Sequence, residues 1–100
     1  MGDDRVVEEK KRKLIEKILN HPVQGEVYIL TQGRIWKALV LKHFSKVQKG
    51  EITILELVEI LEKRYAVKYT QKYSLIQYPI EECLKYIAKV ANKPLELNKE

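Results

Sequence analysis

The sequence has very little cysteine, methionine, phenylalanine and tryptophan, with one residue of each type among its 100 residues. A single cysteine cannot form a disulfide within the chain, and Cys83 with His21 and His43 is too small a set for a structural zinc site. We therefore expect no metal and no cofactor. Cys83 is expected to be a small buried apolar residue.

Long apolar runs are also absent. No stretch approaches the roughly 20 residues that a bilayer crossing requires, and the N-terminus, MGDDRVVEEKKRK, is too charged for a secretory signal. These features predict a cytoplasmic protein that does not associate with membranes. The length predicts one domain, residues 1–100, that buries only about two thirds of its unfolded surface, which favours a partner subunit.

Sequence signatures of catalysis are missing too. The chain has no glycine-rich phosphate loop, no metal-ligand spacing and no nucleophile beside a histidine and an acid. We therefore expect that the protein is not an enzyme and assign no catalytic residue. Positive charge, in contrast, is in excess: 19 Lys and Arg against 14 Asp and Glu give a net charge of +5. This excess favours an anionic partner.

The N-terminal segment, residues 1–22, is predicted to contain a helix over 4–19. One stripe of this helix is apolar and could form a dimer contact through Val7, Leu14 and Ile18. The rest carries the cations Lys10, Lys11, Arg12, Lys13 and Lys17. Three interpretations of this helix are open. It could be solvated or form a dimer contact, it could be an arm that contacts phosphate, or it could lie on a membrane surface. Three interspersed glutamates and the lack of aromatic residues favour the first.

Apolar periodicity also predicts a central helix from about 31 to 47, with Trp36 in the core and His43 at the edge of the apolar stripe. The preceding residues 27–30 could form a short strand or lead into that helix. We expect His43 to be a boundary residue and not a metal ligand or a catalytic base, because the sequence offers no partner residue for either role.

Two further helices are predicted after Gly50. Thr53 and Glu56 have the spacing of a capping box, which begins a helix that runs to about residue 64. The last helix ends near Asn92, because Pro94 follows it. The predicted order is a helix, a short connection, a second helix, a polar turn and a third helix. This is the order of a helix-turn-helix core, which we place at 31–92.

The run KRYAVKYTQKYSLIQYP, residues 63–79, has four tyrosines and four cations but no acidic side chain. It lies where a helix-turn-helix presents its last helix to the major groove. Phosphates bind cations, hydroxyls and the N–H groups of helix starts, whereas side chains such as Gln and Ser read base edges. The predicted DNA-binding residues are Arg64, Lys68, Tyr69, Thr70, Gln71, Lys72, Tyr73, Ser74, Gln77 and Tyr78.

Alternatives remain at this run. The last helix could begin at Pro79, or near Ser74 with a disturbed first turn; the capping-box spacing of Ser74 and Gln77 favours the second. The tyrosines could instead pack structurally against the core. They could also stack on the bases of a single-stranded nucleic acid, although that mode normally uses a sheet.

The segment ILELVEILEKRYAVKYTQKYSLIQYPIEECLKYI resembles the core of PadR-like winged-helix DNA-binding proteins. The first helix of that family has an ELxxxLE character, and the recognition helix contains a Tyr-Pro pair. The matching residues are Leu55, Glu56, Leu57, Leu61, Glu62, Tyr78, Pro79 and Leu84. The resemblance covers about residues 33–92 and implies a dimeric winged helix that binds a palindromic DNA site, with residues 72–78 at the groove.

This sequence departs from the family pattern in three places. It lacks the family's glycine before the recognition helix and the usual C-terminal dimerisation helix, and few residues follow Asn92 to form a wing. In size and layout the chain is also similar to small archaeal plasmid-partition proteins that bind the partition site.

The expected fold is mostly α, a winged helix-turn-helix with a short or degenerate wing and an extra N-terminal helix. The expected function is sequence-specific binding of double-stranded DNA by a homodimer. Its role would be transcriptional regulation, or DNA segregation together with a second protein. The alternative is a protein-interaction adaptor that uses the same fold without specific DNA binding.

Overall fold

Four α-helices and one short 3₁₀ helix form the regular structure of the computed structural model, which describes residues 2–70 and 73–91, and the side chains of 8–70 and 77–91. The helices are α1 Gly2–Asn20, α2 Gly33–Gln48, α3 Ile54–Tyr65 and α4 Tyr73–Val90, with the 3₁₀ helix at Glu26–Tyr28. Within the described ranges there is no β-strand, and the mostly α prediction is confirmed. None of these helices has the length and apolar character needed to cross a bilayer.

The predicted helix start at Thr53 is confirmed in atomic detail. The Thr53 hydroxyl accepts from the Glu56 backbone N–H at 3.0 Å, and the Glu56 carboxylate accepts from the Thr53 N–H at 2.8 Å. Both bonds satisfy amides that have no partner within a helix. Local sequence alone therefore specifies where α3 begins.

Residues 27–30 form neither a regular strand nor the first turn of α2. Gly25 adopts a left-handed conformation with φ of 86°, and the 3₁₀ helix follows it directly. Ile29 then makes a single antiparallel bridge to Tyr69. The chain thus turns back across the start of α4 before α2 begins.

The core lies where α2, α3 and α4 meet. Trp36, Leu61 and Leu84 are almost wholly buried there. Cys83 is buried as expected, and burial raises the pKa of its thiol to about 12. His43 is more buried than the boundary position predicted for it, at 4% exposure, and its Nδ1 lies 2.8 Å from the carbonyl oxygen of Leu39.

Helix α1 packs against α2 and α4. Ile18 is 2% exposed and belongs to the core, while Leu14 is half-buried against it. Arg34 ties α1 to α2, because its guanidinium donates to Asn20 Oδ1 at 2.8 Å and to Glu16 Oε2 at 2.9 Å. Any dimer contact on α1 would therefore use Leu14 and exposed neighbours. Ile18 instead packs α1 onto the core of its own subunit. The side chain of Val7 lies outside the described residues.

Ala66, the C-cap residue of α3, offers a direct test of backbone strain. Ala66 is exposed and has φ of 57°, a left-handed conformation that costs a residue with a Cβ about 1 kcal/mol. We expect Ala66→Gly to raise the free energy of unfolding by about 0.5 kcal/mol, because relief of strain exceeds the added entropy of the unfolded glycine. Urea denaturation measures the change. The matched control is Gly50→Ala, at φ of 78° with open space around it, which should lower stability.

Candidate nucleic-acid interface

The turn that joins α3 to α4 is anchored in the core through one side chain. Val67 is 2% exposed, and its N–H donates to the Leu61 carbonyl oxygen at 2.9 Å. The flanking side chains Arg64 and Lys68 are exposed. The buried valine therefore fixes the turn while the two cations on either side of it face solvent.

Residues 68–70 are held against the loop that precedes α2. Leu30 N–H donates to the Lys68 carbonyl oxygen at 2.8 Å, and the Thr70 N–H donates to the Tyr28 carbonyl oxygen at 2.9 Å. The Lys68 N–H donates to the Thr31 hydroxyl at 2.8 Å. These bonds hold the backbone of residue 68 against the loop. In a separate bond the Thr70 hydroxyl donates to the Tyr28 carbonyl oxygen at 3.1 Å.

Tyr69 points into the protein. Its hydroxyl donates to the Val58 carbonyl oxygen at 3.2 Å, and its ring packs against the core. Burial, and then the nearby Glu62 carboxylate, raise the pKa of Tyr69 well above its ordinary value. Tyr69 therefore packs structurally against the core, which was one of the alternatives for the tyrosines of residues 63–79.

Removal of the Tyr69 hydroxyl separates a structural role from a role in binding. We expect Tyr69→Phe to lower the free energy of unfolding by about 1 kcal/mol, because one partly buried hydrogen bond is lost. If the protein binds duplex DNA as the sequence predicts, the affinity of the folded variant should stay within twofold of the wild-type value. Urea denaturation and a duplex titration measure the two quantities. A larger loss of affinity at unchanged stability would assign Tyr69 to the DNA contact.

Tyr78 stays at the surface of α4. It is 46% exposed, and its hydroxyl donates to Gln24 Oε1 at 3.2 Å. A Cβ at Gly25 would lie 3.3 Å from the Tyr78 ring, so the glycine lets the loop approach it closely. Gln77 beside it is half-buried. The exposed Tyr78 is therefore presented in one orientation.

Helix α4 begins at Tyr73 and continues through Pro79. Of the two interpretations of this region, the start near Ser74 is confirmed and the start at Pro79 is wrong. Pro79 and Ile80 are buried, so this part of the helix packs into the protein. The predicted site residues Gln71 and Lys72 lie outside the described residues, as do the side chains of Tyr73 and Ser74.

The structure adds a cation that sequence reasoning missed. Lys42 on α2 places its Nζ 3.5 Å from the Tyr65 hydroxyl and 5.6 Å from the centroid of that ring. Because Tyr65 is the last residue of α3, Lys42 lies at the same end of α3 as Arg64. The two residues are 23 positions apart, and no local pattern in the sequence signals their contact.

Three cations near the end of α3 form no ion pair within the described ranges. Some other exposed cations do, as in Arg34–Glu16 and Lys63–Glu59. In the part of the chain that the structure describes, no ion pair involves Lys42, Arg64 or Lys68. Their positive charge is therefore left to act on an external anion.

Among the described residues, no group of three His, Cys, Asp or Glu side chains could hold a metal ion. Comparison with protein-family models, curated proteins and solved structures found no match to this chain.

Proposed function

We propose that the protein binds double-stranded DNA in a sequence-specific manner, as a regulator of transcription or as the site-binding protein of a DNA-segregation system. One observation carries the proposal: Val67 anchors the α3–α4 turn in the core, and exposed Arg64 and Lys68 before α4 have no carboxylate partner among the described residues. Phosphate contacts of this kind position a helix, and base contacts then specify the site.

In this proposal α3 and α4 are the two helices of a winged helix-turn-helix, and α4 is the recognition helix. Exposed Tyr78 and half-buried Gln77 lie on α4 near its start, within reach of base edges. A wing built from PLELNKE would fall on residues outside the described ranges. The resemblance to PadR-like proteins supports this assignment of roles.

The proposed form is a homodimer on a palindromic site, with two copies of α4 in successive major grooves about one helical turn apart. Half-buried Leu14 lines a groove of about 310 Å³ between α1, α2 and α4, together with Ile15 and Phe44. A second copy could use this apolar groove on the face that carries α1. The pseudo-twofold symmetry of the DNA site is the signature of such a dimer.

A selection from random duplexes tests this proposal. The purified protein is titrated by fluorescence anisotropy against a random duplex pool at low salt, and the tightest-bound fraction is sequenced. We expect an enriched inverted repeat. Lys68→Ala should weaken binding to the repeat and to random duplex alike, whereas Lys89→Ala, an exposed lysine in the last turn of α4, should not. Absence of binding even at low salt would overturn the proposal.

A protein-interaction adaptor is the second candidate, and exposed apolar side chains favour it. Val27 is 76% exposed and Leu30 is 61% exposed, on the loop that pairs with residues 68–70. Exposed apolar side chains favour contact with another protein where they form a contiguous patch, and Val27 and Leu30 are three residues apart on this loop. If this loop is the functional surface, Leu30→Ser will abolish partner binding while Lys68→Ala leaves it intact.

A further inference from the structure

Tyr65 is the last residue of α3, and its hydroxyl contacts a cation of α2. The Lys42 ammonium lies 3.5 Å from the Tyr65 oxygen. On the ring itself, His43 packs edge-on at 5.8 Å between centroids, with an angle of 73° between the planes. Because His43 is buried, the tyrosine ring is supported from the core side and its hydroxyl is held at the surface.

Arg64 is the second cation of this cluster. Burial raises the pKa of Tyr65, but the Lys42 ammonium and the Arg64 guanidinium together outweigh burial and lower the pKa below its ordinary value. The charges that act on Tyr65 are those two, whereas the Glu62 carboxylate acts on Tyr69. The Lys42 ammonium is therefore in contact with the Tyr65 hydroxyl, and exposed Arg64 is the preceding residue at the end of α3.

This arrangement differs from the other contacts between helices. Between α1 and α2 the guanidinium of Arg34 meets the Glu16 carboxylate at 2.9 Å, so the charges cancel. Tyr65 supplies an oxygen but no negative charge, and among the described residues neither Lys42 nor Arg64 forms an ion pair. An ammonium, a guanidinium and a hydroxyl that can rotate to donate are the donors that a tetrahedral oxyanion requires.

We propose that Lys42, Arg64 and the Tyr65 hydroxyl form a binding site for one phosphate group, supplied by the backbone of bound DNA. The inference rests on the proposed function and deepens it, because it adds α2 to the DNA contact and assigns one phosphate to named donors. Arg64 is joined to the α3–α4 turn, so this phosphate lies beside the groove that α4 enters. Arg64 can bind two phosphate oxygens at once, and Lys42 adds a point charge.

The first measurement is the salt dependence of duplex binding by three single variants and one double variant. Lys42→Ala and Arg64→Ala should each weaken duplex binding and lower the slope of log K against log salt, and the double variant should lower the slope by about 1 in total, because both cations contact the same phosphate. Tyr65→Phe keeps the ring and both charges, so it should keep the slope and lower the affinity roughly 10-fold through the lost hydrogen bond. Lys89→Ala is the matched control and should keep both the slope and the affinity of the wild type. Circular dichroism melts confirm that each variant is folded.

The second measurement does not require DNA binding. Inorganic phosphate is titrated into the free protein, and NMR follows the ring signals of Tyr65 and the side-chain signals of Arg64. We expect saturable shifts that Lys42→Ala abolishes and Lys89→Ala preserves.

The two measurements separate the site from the proposed function. Saturable phosphate shifts without any duplex binding would support the site, assign it to a free phosphate ligand and overturn the DNA function. Duplex binding with wild-type slopes in Lys42→Ala and Arg64→Ala, and no phosphate shifts at Tyr65, would overturn the site and leave the DNA function standing.

Discussion

Glu26→Ala is expected to lower the free energy of unfolding by about 3 kcal/mol, because it removes the partner of a buried charge. The Lys37 side chain is only 4% exposed, and its Nζ donates to Glu26 Oε1 at 3.1 Å and to the His21 carbonyl oxygen at 2.6 Å. Loss of the carboxylate leaves an ammonium in the protein with one neutral acceptor. The same carboxylate accepts from the Val23 N–H at 2.7 Å, which would also lose its partner.

Two variants separate charge from packing at this pair. Glu26→Gln keeps the shape and the acceptor for Val23 but removes the negative charge, so it should cost less than Glu26→Ala. Lys37→Met removes the buried ammonium and fills its space, and the Glu26 side chain, 35% exposed, can then be hydrated. Lys37→Met should therefore stay within about 1 kcal/mol of the wild type. Urea denaturation of the three variants measures these differences. Equal losses in Glu26→Ala and Lys37→Met would contradict the assignment of the cost to an unpaired charge.

Raising the salt concentration from about 50 to 200 mM is expected to weaken duplex binding by roughly 500-fold, which follows from about five neutralised phosphates and a slope of −4 to −5. The proposal assigns part of this contact to Lys42, Arg64 and Lys68, which form no ion pair among the described residues. Each contact releases condensed counterions from the DNA, and added salt opposes that release.

The salt titration also discriminates between the two candidate functions. An adaptor that binds through Val27 and Leu30 buries apolar surface, and its affinity should change little over the same salt range. Anisotropy with a fixed duplex at five salt concentrations gives the slope. A slope near zero in a protein that still binds would contradict backbone recognition, and a steep slope that is equal for all sequences would show nonspecific binding only.

Much of the fold follows from patterns within single elements. The spacing of apolar residues predicted all four helices, and the predicted ends lie close to the observed ones, as with α1 at 4–19 against Gly2–Asn20. The Thr53 capping box and the burial of Cys83 were predicted from residue type and local spacing. These features depend on groups a few residues apart, which the geometry of one helix brings together.

Contacts between elements could not be predicted from such local patterns. The Lys37–Glu26 pair, the Lys42–Tyr65 contact and the bonds from Thr70 to Tyr28 join residues 11, 23 and 42 positions apart. Whether a tyrosine in the acid-free run faces the core, as Tyr69 does, or solvent, as Tyr78 does, depends on how α3 and α4 cross. Residue types and their local order thus predict the helices and the excess of cations near the turn. Only the packing angles between helices decide which of those cations share one face, because side chains distant in sequence meet through tertiary packing.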